Sequence, residues 1–243
     1  MNFTYHSYCN FLLSLQKHGY SIKNYHDWTS IEKCVILRHD IDNDIEKAYR
    51  FAQLEADMEV TSTYFVLVTS DFYNIFSLKN EKLLKGILHL GHHIGLHFDE
   101  LGYLNLKSPD DVLEKIQKET SILEKAIENE VSVVSMHRPS KMILESNLSI
   151  PGMINSYSQT FFKEFKYLSD SRRNWREPID NIIESEEFPR LHVLTHAFWY
   201  NDIEIDIHDS ICNFVNQANM QRYESEKSNI TNIESIMKNT EVK

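Results

Sequence analysis

Histidine, aspartate and arginine collect in five short stretches of this chain: RHDID (38–42), GHHIGLHFDE (91–100), MHRPS (136–140), YLSDSRRNW (167–175) and VLTHAFWY (193–200). Imidazoles and carboxylates together hold divalent cations and exchange protons, the equipment of metal-assisted hydrolysis. Asp40 and Asp42 lie two apart. On a strand they project to one face, so one can ligate a cation while the other accepts a proton. Arg38 has the same parity and is placed to orient Asp40 or hold its pKa down. His93 and His97 are four apart, the spacing at which helical histidines share a metal. Gly91 and Gly95 disfavour a helix there. As a strand, four residues span about 13 Å, too far for two ligands of one ion. His97 is then one ligand, and His93 sits at the far end, with His92 and His93 structural or solvent-facing.

Residues of this kind must be carried by something. CVILRHDID (34–42) begins apolar and ends charged, as a buried strand does when its C-terminal end opens onto a site. Further strands are expected at 61–68, 93–98, 131–138, 165–171 and around 192–195. Helices are expected at 5–18, at 44–58 with Asp44 as N-cap, at 80–91 stopped by Gly91, and at 108–130 capped by Ser108. The tail from about 203 is helical and polar. Strands alternate with helices without a break, which predicts an α/β fold with about six or seven parallel strands, fewer than a complete barrel needs. In such folds chemistry collects at the C-terminal ends of strands, and each of the charged stretches falls at one. A single domain over 1–243 is expected, because only 6 glycines and 5 prolines leave no evident linker.

The five stretches, in this order, resemble the polysaccharide deacetylase superfamily, carbohydrate esterase family four. The likeness runs over roughly residues 30 to 200 and is nearest to the divergent branch whose first motif reads Arg-His-Asp-Val-Asp, associated with surface-polysaccharide biosynthesis. It implies a distorted, incomplete (β/α) barrel and a divalent cation, usually zinc. It also implies removal of an acetyl group from an N-acetylated sugar or glycan precursor. By resemblance Asp40 is the base, Asp42 a metal ligand, His196 the general acid, and Asp170 the carboxylate supporting the site. Arg138, from an Arg-x-Pro-type motif, is expected to act on Asp40 from a neighbouring strand. Arg38, Trp175 and Trp199 are candidate substrate contacts. The family's second metal histidine should stand at residue 101, which here is Leu101. His137 at the end of the next strand is the candidate replacement, giving Asp42, His97 and His137. His39 is the alternative, though its parity is opposite. Two other readings remain open: a carbohydrate-binding relative with altered chemistry, and a hydrolase of a non-sugar C–N bond on the same scaffold.

Composition narrows the rest. A formal net charge of −11 argues against nucleic acid or an anionic lipid surface as partner. Cys9, Cys34 and Cys212 are odd in number and widely spaced, unlike a disulfide framework. No signal peptide or membrane span is expected, so a cytoplasmic setting is.

Overall fold

A computed structural model of the chain describes residues 1–242. It divides into two compact units, residues 1–202 and the residues from 203 onward. The first unit opens with α1 (Tyr5–Lys17), whose Tyr8, Phe11, Leu12 and Leu15 recur at helical spacing and are buried. A short strand, β1 (Ser21–Lys23), precedes β2 (Cys34–Ile41). Next comes α2 (Ile45–Asp57), where the Asp44 side chain accepts from the N–H groups of Glu46 and Lys47. That cap contributes about 1 kcal/mol and leaves Asp40 and Asp42 available for other partners.

The chain continues through β3 (Thr63–Val66), α3 (Leu78–His89), β4 (His93–Phe98), α4 (Pro109–Ile127) and β5 (Val133–Met136). Gly91 adopts a φ of +90°, which turns the chain out of α3 and into β4. Ser108 and Asp111 form the capping box that starts α4. Then follow α5 (Lys141–Ser146), β6 (Ile154–Asn155), α6 (Gln159–Lys163), β7 (Lys166–Ser169), α7 (Ile179–Ser185) and β8 (Arg190–Thr195).

Every strand pairing is parallel. The order is β6-β5-β4-β3-β2-β8-β7, with β1 beside the start of β2. Strands β2 to β6 are neighbours in sequence order, β7 lies beside β8, and β8 closes onto β2. The ring therefore lacks one pairing, β6 with β7, and the sheet is an incomplete (β/α) barrel. Strands β1 and β6 are too short, at 3 and 2 residues, to leave a periodic signal.

Side-chain alternation divides the core. Val35, Leu37, Ile41, Tyr64, Val66, Leu96, Val134 and Val193 join the apolar layer that also contains α1, α2 and α4 side chains. Cys34, Ile36, Phe65 and Val133 belong to a separate inner cluster with Tyr25, Trp28, Phe161 and Phe165. Arg38 and Asp40 continue the inner parity of Cys34 and Ile36, so β2 delivers them above this aromatic floor. Gly95 is required where the Phe65 ring crosses β4: a Cβ there would lie 2.5 Å from Phe65 Cε1.

The second unit holds α8 (Ile207–Asn229), capped by the Asp206 side chain, and α9 (Ile233–Ile236). The Tyr223 hydroxyl donates to the Met237 carbonyl oxygen at 2.9 Å. Among the described residues no helix is long and apolar enough to cross a membrane, and all three cysteines are free.

Candidate metal centre

Three side chains from three strand ends meet above the inner cluster. Asp42 follows β2, His97 is the penultimate residue of β4, and His137 follows β5. His97 Nε2 lies 3.0 Å from His137 Nδ1. Asp42 Oδ1 lies 3.3 Å from each of these nitrogens. The separations match the about 3.3 Å edge of a tetrahedron with ligand bonds of about 2.0–2.1 Å. Asp42 Oδ1 is buried and has no hydrogen-bond partner. A buried carboxylate oxygen without a donor is costly, and a cation shared with two imidazole nitrogens would satisfy it. Together the three residues form a group able to hold a metal ion. Burial pushes the Asp42 carboxyl up, but the His137 and His97 imidazoles outweigh it and hold the group well below the usual carboxylate range.

Asp40 stands beside this triangle, with Oδ2 3.5 Å from His97 Nε2. Arg38 grips it: Nη2 donates to both oxygens at 2.9 and 2.7 Å, and Nε donates to Oδ1 at 3.2 Å. Burial raises the Asp40 pKa, and the Arg38 charge more than reverses that, leaving the carboxyl ionised. Arg38 is itself fully buried. Its other donors go to Ser156 Oγ at 3.1 Å and Ser135 Oγ at 2.6 Å. The expectation that Arg38 contacts substrate is therefore corrected: a guanidinium enclosed by Asp40 and two serines serves Asp40.

His196, just beyond β8, approaches from the opposite side. Its backbone N–H donates to both Asp170 oxygens at 3.1 Å, and its Nδ1 lies 2.6 Å from Asp170 Oδ1. Because Asp170 accepts, Nδ1 carries the proton and Nε2 faces inward, 3.6 Å from Asp42 Oδ2. Burial alone would lower the His196 pKa, but Asp170 overrides it, helped by Asp42 and Asp40, and lifts it to about 9. Asp170 is fully buried at the end of β7.

One further expectation needs correction. Arg138 is half exposed and pairs with Asp99 rather than with Asp40. Trp175 and Trp199 are half-buried and pack against the core. His93 is exposed at the N-terminal end of β4, where its Nε2 meets Asn24 Nδ2 at 3.3 Å. His39 faces the outer layer. Its Nδ1 meets Thr195 Oγ1 at 2.6 Å and its Nε2 meets Glu55 Oε1 at 2.9 Å, so neither nitrogen is directed to the triangle. His92 lies under α2, accepting from the Ser62 N–H at Nδ1 and lying 2.9 Å from the Ala52 carbonyl oxygen at Nε2. Leu101 is exposed in the loop after β4.

The chain resembles solved structures of carbohydrate esterase family 4. One is a CE4 family pseudoenzyme from Bacillus anthracis, 16% identical over 78% of this chain and 62% of its own, with a TM-score of 0.46. This chain thus spans less than two thirds of that protein. A family 4 carbohydrate esterase from Bacillus anthracis is 16% identical over 87% of this chain and 86% of its own, with a TM-score of 0.43. A family 4 acetyl xylan esterase from Clostridium thermocellum, in complex with a cobalt ion, is 13% identical over 75% and 82%, with a TM-score of 0.42. No family model and no curated protein matches the chain.

The structure adds buried residues that sequence reasoning missed. Ser135 and Ser156 both bond Arg38, and Tyr157 and Phe65 lie over its guanidinium at 5.3 and 4.9 Å. Glu55 is a second buried hub. It accepts from Tyr8 at 2.5 Å, Ser62 at 2.5 Å and Tyr64 at 2.7 Å, in addition to its His39 contact. Burial would raise its pKa, but His39 and these donors bring it down to about 2. A serine in an apolar strand and a glutamate in a charged helix carry no sequence signal of such roles. Only the parity of Ser135 with His137 pointed inward.

Proposed function

We propose that the chain is a metal-dependent hydrolase that removes an acetyl group from an N-acetylated sugar or glycan precursor. What supports this most is the convergence of Asp42 Oδ1, His97 Nε2 and His137 Nδ1 at separations of 3.0–3.3 Å. Asp42, His97 and His137 would hold a divalent cation, with zinc the ion best suited to a donor set of two nitrogens and a carboxylate. When bound, the cation supplies Lewis acidity that polarises the acyl carbonyl and eases deprotonation of water.

The remaining steps belong to the protein. Asp40, kept ionised and oriented by Arg38, accepts the proton of the attacking water. His196 is protonated at neutral pH because of Asp170, and from Nε2 it donates a proton to the leaving nitrogen. Asp170 fixes the ring through Nδ1–H and the adjoining backbone N–H, so the donating nitrogen faces the centre without reorganisation. The two proton-transfer groups are set apart by their partners: a guanidinium keeps Asp40 deprotonated and able to accept, and a carboxylate keeps His196 protonated and able to donate.

The direct test is release of acetate from a panel of N-acetylated sugars and glycan precursors, before and after removal of metal by a chelator. Activity that disappears with the metal and returns on adding zinc supports the reading. Full activity in metal-free protein refutes it. Saturable glycan binding without metal or turnover would establish a carbohydrate-binding protein instead, and turnover confined to non-sugar amides would establish a different substrate class.

A further inference from the structure

Ser135 lies between the two halves of this site. It is the third residue of β5, fully buried, and pairs in register with His97 of β4. Its Oγ stands 2.6 Å from Arg38 Nη2 and 2.9 Å from His97 Nδ1. The same Arg38 Nη2 bonds both oxygens of Asp40. A single hydroxyl oxygen thus links the guanidinium that orients Asp40 to the imidazole that faces Asp42.

We propose that Ser135 is a positioning residue that fixes His97 as a metal ligand and ties its orientation to that of Asp40. The inference rests on the metal-centre reading above. Arg38 can only donate, so Ser135 Oγ accepts from it. A second lone pair on the same oxygen accepts from His97 Nδ1–H. That bond holds the tautomer in which Nε2 is unprotonated and free to ligate. Hydrogen bonds of this kind to the distal nitrogen of a ligating imidazole set ring orientation and ligand basicity. Here the acceptor is a neutral hydroxyl already polarised by a guanidinium. A carboxylate in this place would add a second negative charge competing with Asp40 for Arg38, whereas the hydroxyl shares Nη2 as a neutral acceptor. Ser156 supplies the contrast. It bonds Arg38 Nη1 at 3.1 Å, and no bond from it to His97 is present.

The test compares zinc affinity, by competition with a chromogenic chelator, in wild-type protein and in Ser135→Thr, Ser135→Val and Ser156→Ala. Threonine and valine fill the same volume, so any steric burden in this buried position is common to both and only the hydroxyl differs. Ser135→Val should lose zinc affinity by about 10- to 100-fold relative to Ser135→Thr, with a matching change in the visible spectrum of the cobalt-loaded protein. Ser156→Ala should bind zinc as the wild type does. Equal zinc affinity in Ser135→Val and Ser135→Thr, with tight wild-type binding, overturns the role of Ser135 and leaves the metal centre standing. A wild-type chain that binds no zinc refutes both.

Discussion

Replacing His137 by alanine removes one corner of the donor triangle and leaves Asp42 and His97 in place. A tetrahedral zinc site is worth about 10–16 kcal/mol when four protein ligands bind, so one ligand accounts for about 3–4 kcal/mol. That corresponds to a loss of about 100- to 1,000-fold in zinc affinity. The remaining pair, 3.3 Å apart, keeps the residual binding. The His137 side chain is partly exposed and meets Asp42 and His97, the other two corners of the triangle. Its removal should therefore leave folding intact, and near-native circular dichroism and melting temperature are the control. His93→Ala provides the second arm. Its side chain is exposed at the opposite end of β4, so zinc affinity should equal that of the wild type. Isothermal titration of chelator-stripped protein with zinc reads both. Unchanged affinity in His137→Ala together with lost affinity in His93→Ala refutes the reasoning from strand length and from the triangle at once.

Other consequences are as direct. Asp170→Asn removes the charge that lifts His196 to about 9, so the alkaline limb of kcat/KM should move to lower pH; an unmoved limb would assign it to another group. Glu119 is buried in α4, with Oε1 accepting from Tyr103 at 2.5 Å and Oε2 unpartnered. Burial raises its pKa from 4.5 to about 7, so the folded state keeps a proton that the unfolded chain releases near 4.5. Stability should then be greatest below that value and fall by about 3 kcal/mol as pH rises through 7. Urea melts of Glu119→Gln at pH 5 and 8 should show this loss abolished, and an unaltered pH slope contradicts the assignment. Gly95→Ala should cost about 1–3 kcal/mol in the same melts, because its Cβ meets the Phe65 ring and the Val133 carbonyl oxygen; a neutral substitution would mean that Phe65 can move aside.

The central strands were legible because burial on both faces writes a continuous apolar run, and the change from Leu37 to Arg38 marks where β2 reaches the site. The glycines of GHHIGLHFDE gave β4 its bounds, His93–Phe98, and the Asp44 cap freed Asp40 and Asp42 for the inner face. What stayed hidden depends on distance in space rather than in sequence. Arg138 follows His137 directly, yet its partner is Asp99, 39 residues away. Arg38 is buried because Ser135 and Ser156 come from strands β5 and the end of β6, and nothing local to RHDID announces that. Strand β6 escapes notice because two residues cannot show alternation. Trp175 and Trp199 illustrate the limit from the other side, since an aromatic beside a charged motif reads the same whether it lines a pocket or fills a core.

The loop that follows β4 carries Leu101, exposed, where a ligand was anticipated. With the third donor at the end of β5, every corner of the triangle sits at the end of a paired strand. That loop is then relieved of coordination duty. Its remaining ties run to the segment after His137, where Asp99 pairs with Arg138 and Glu100 Oε1 accepts from the Ser140 N–H, so a change at exposed Leu101 itself should leave the triangle untouched.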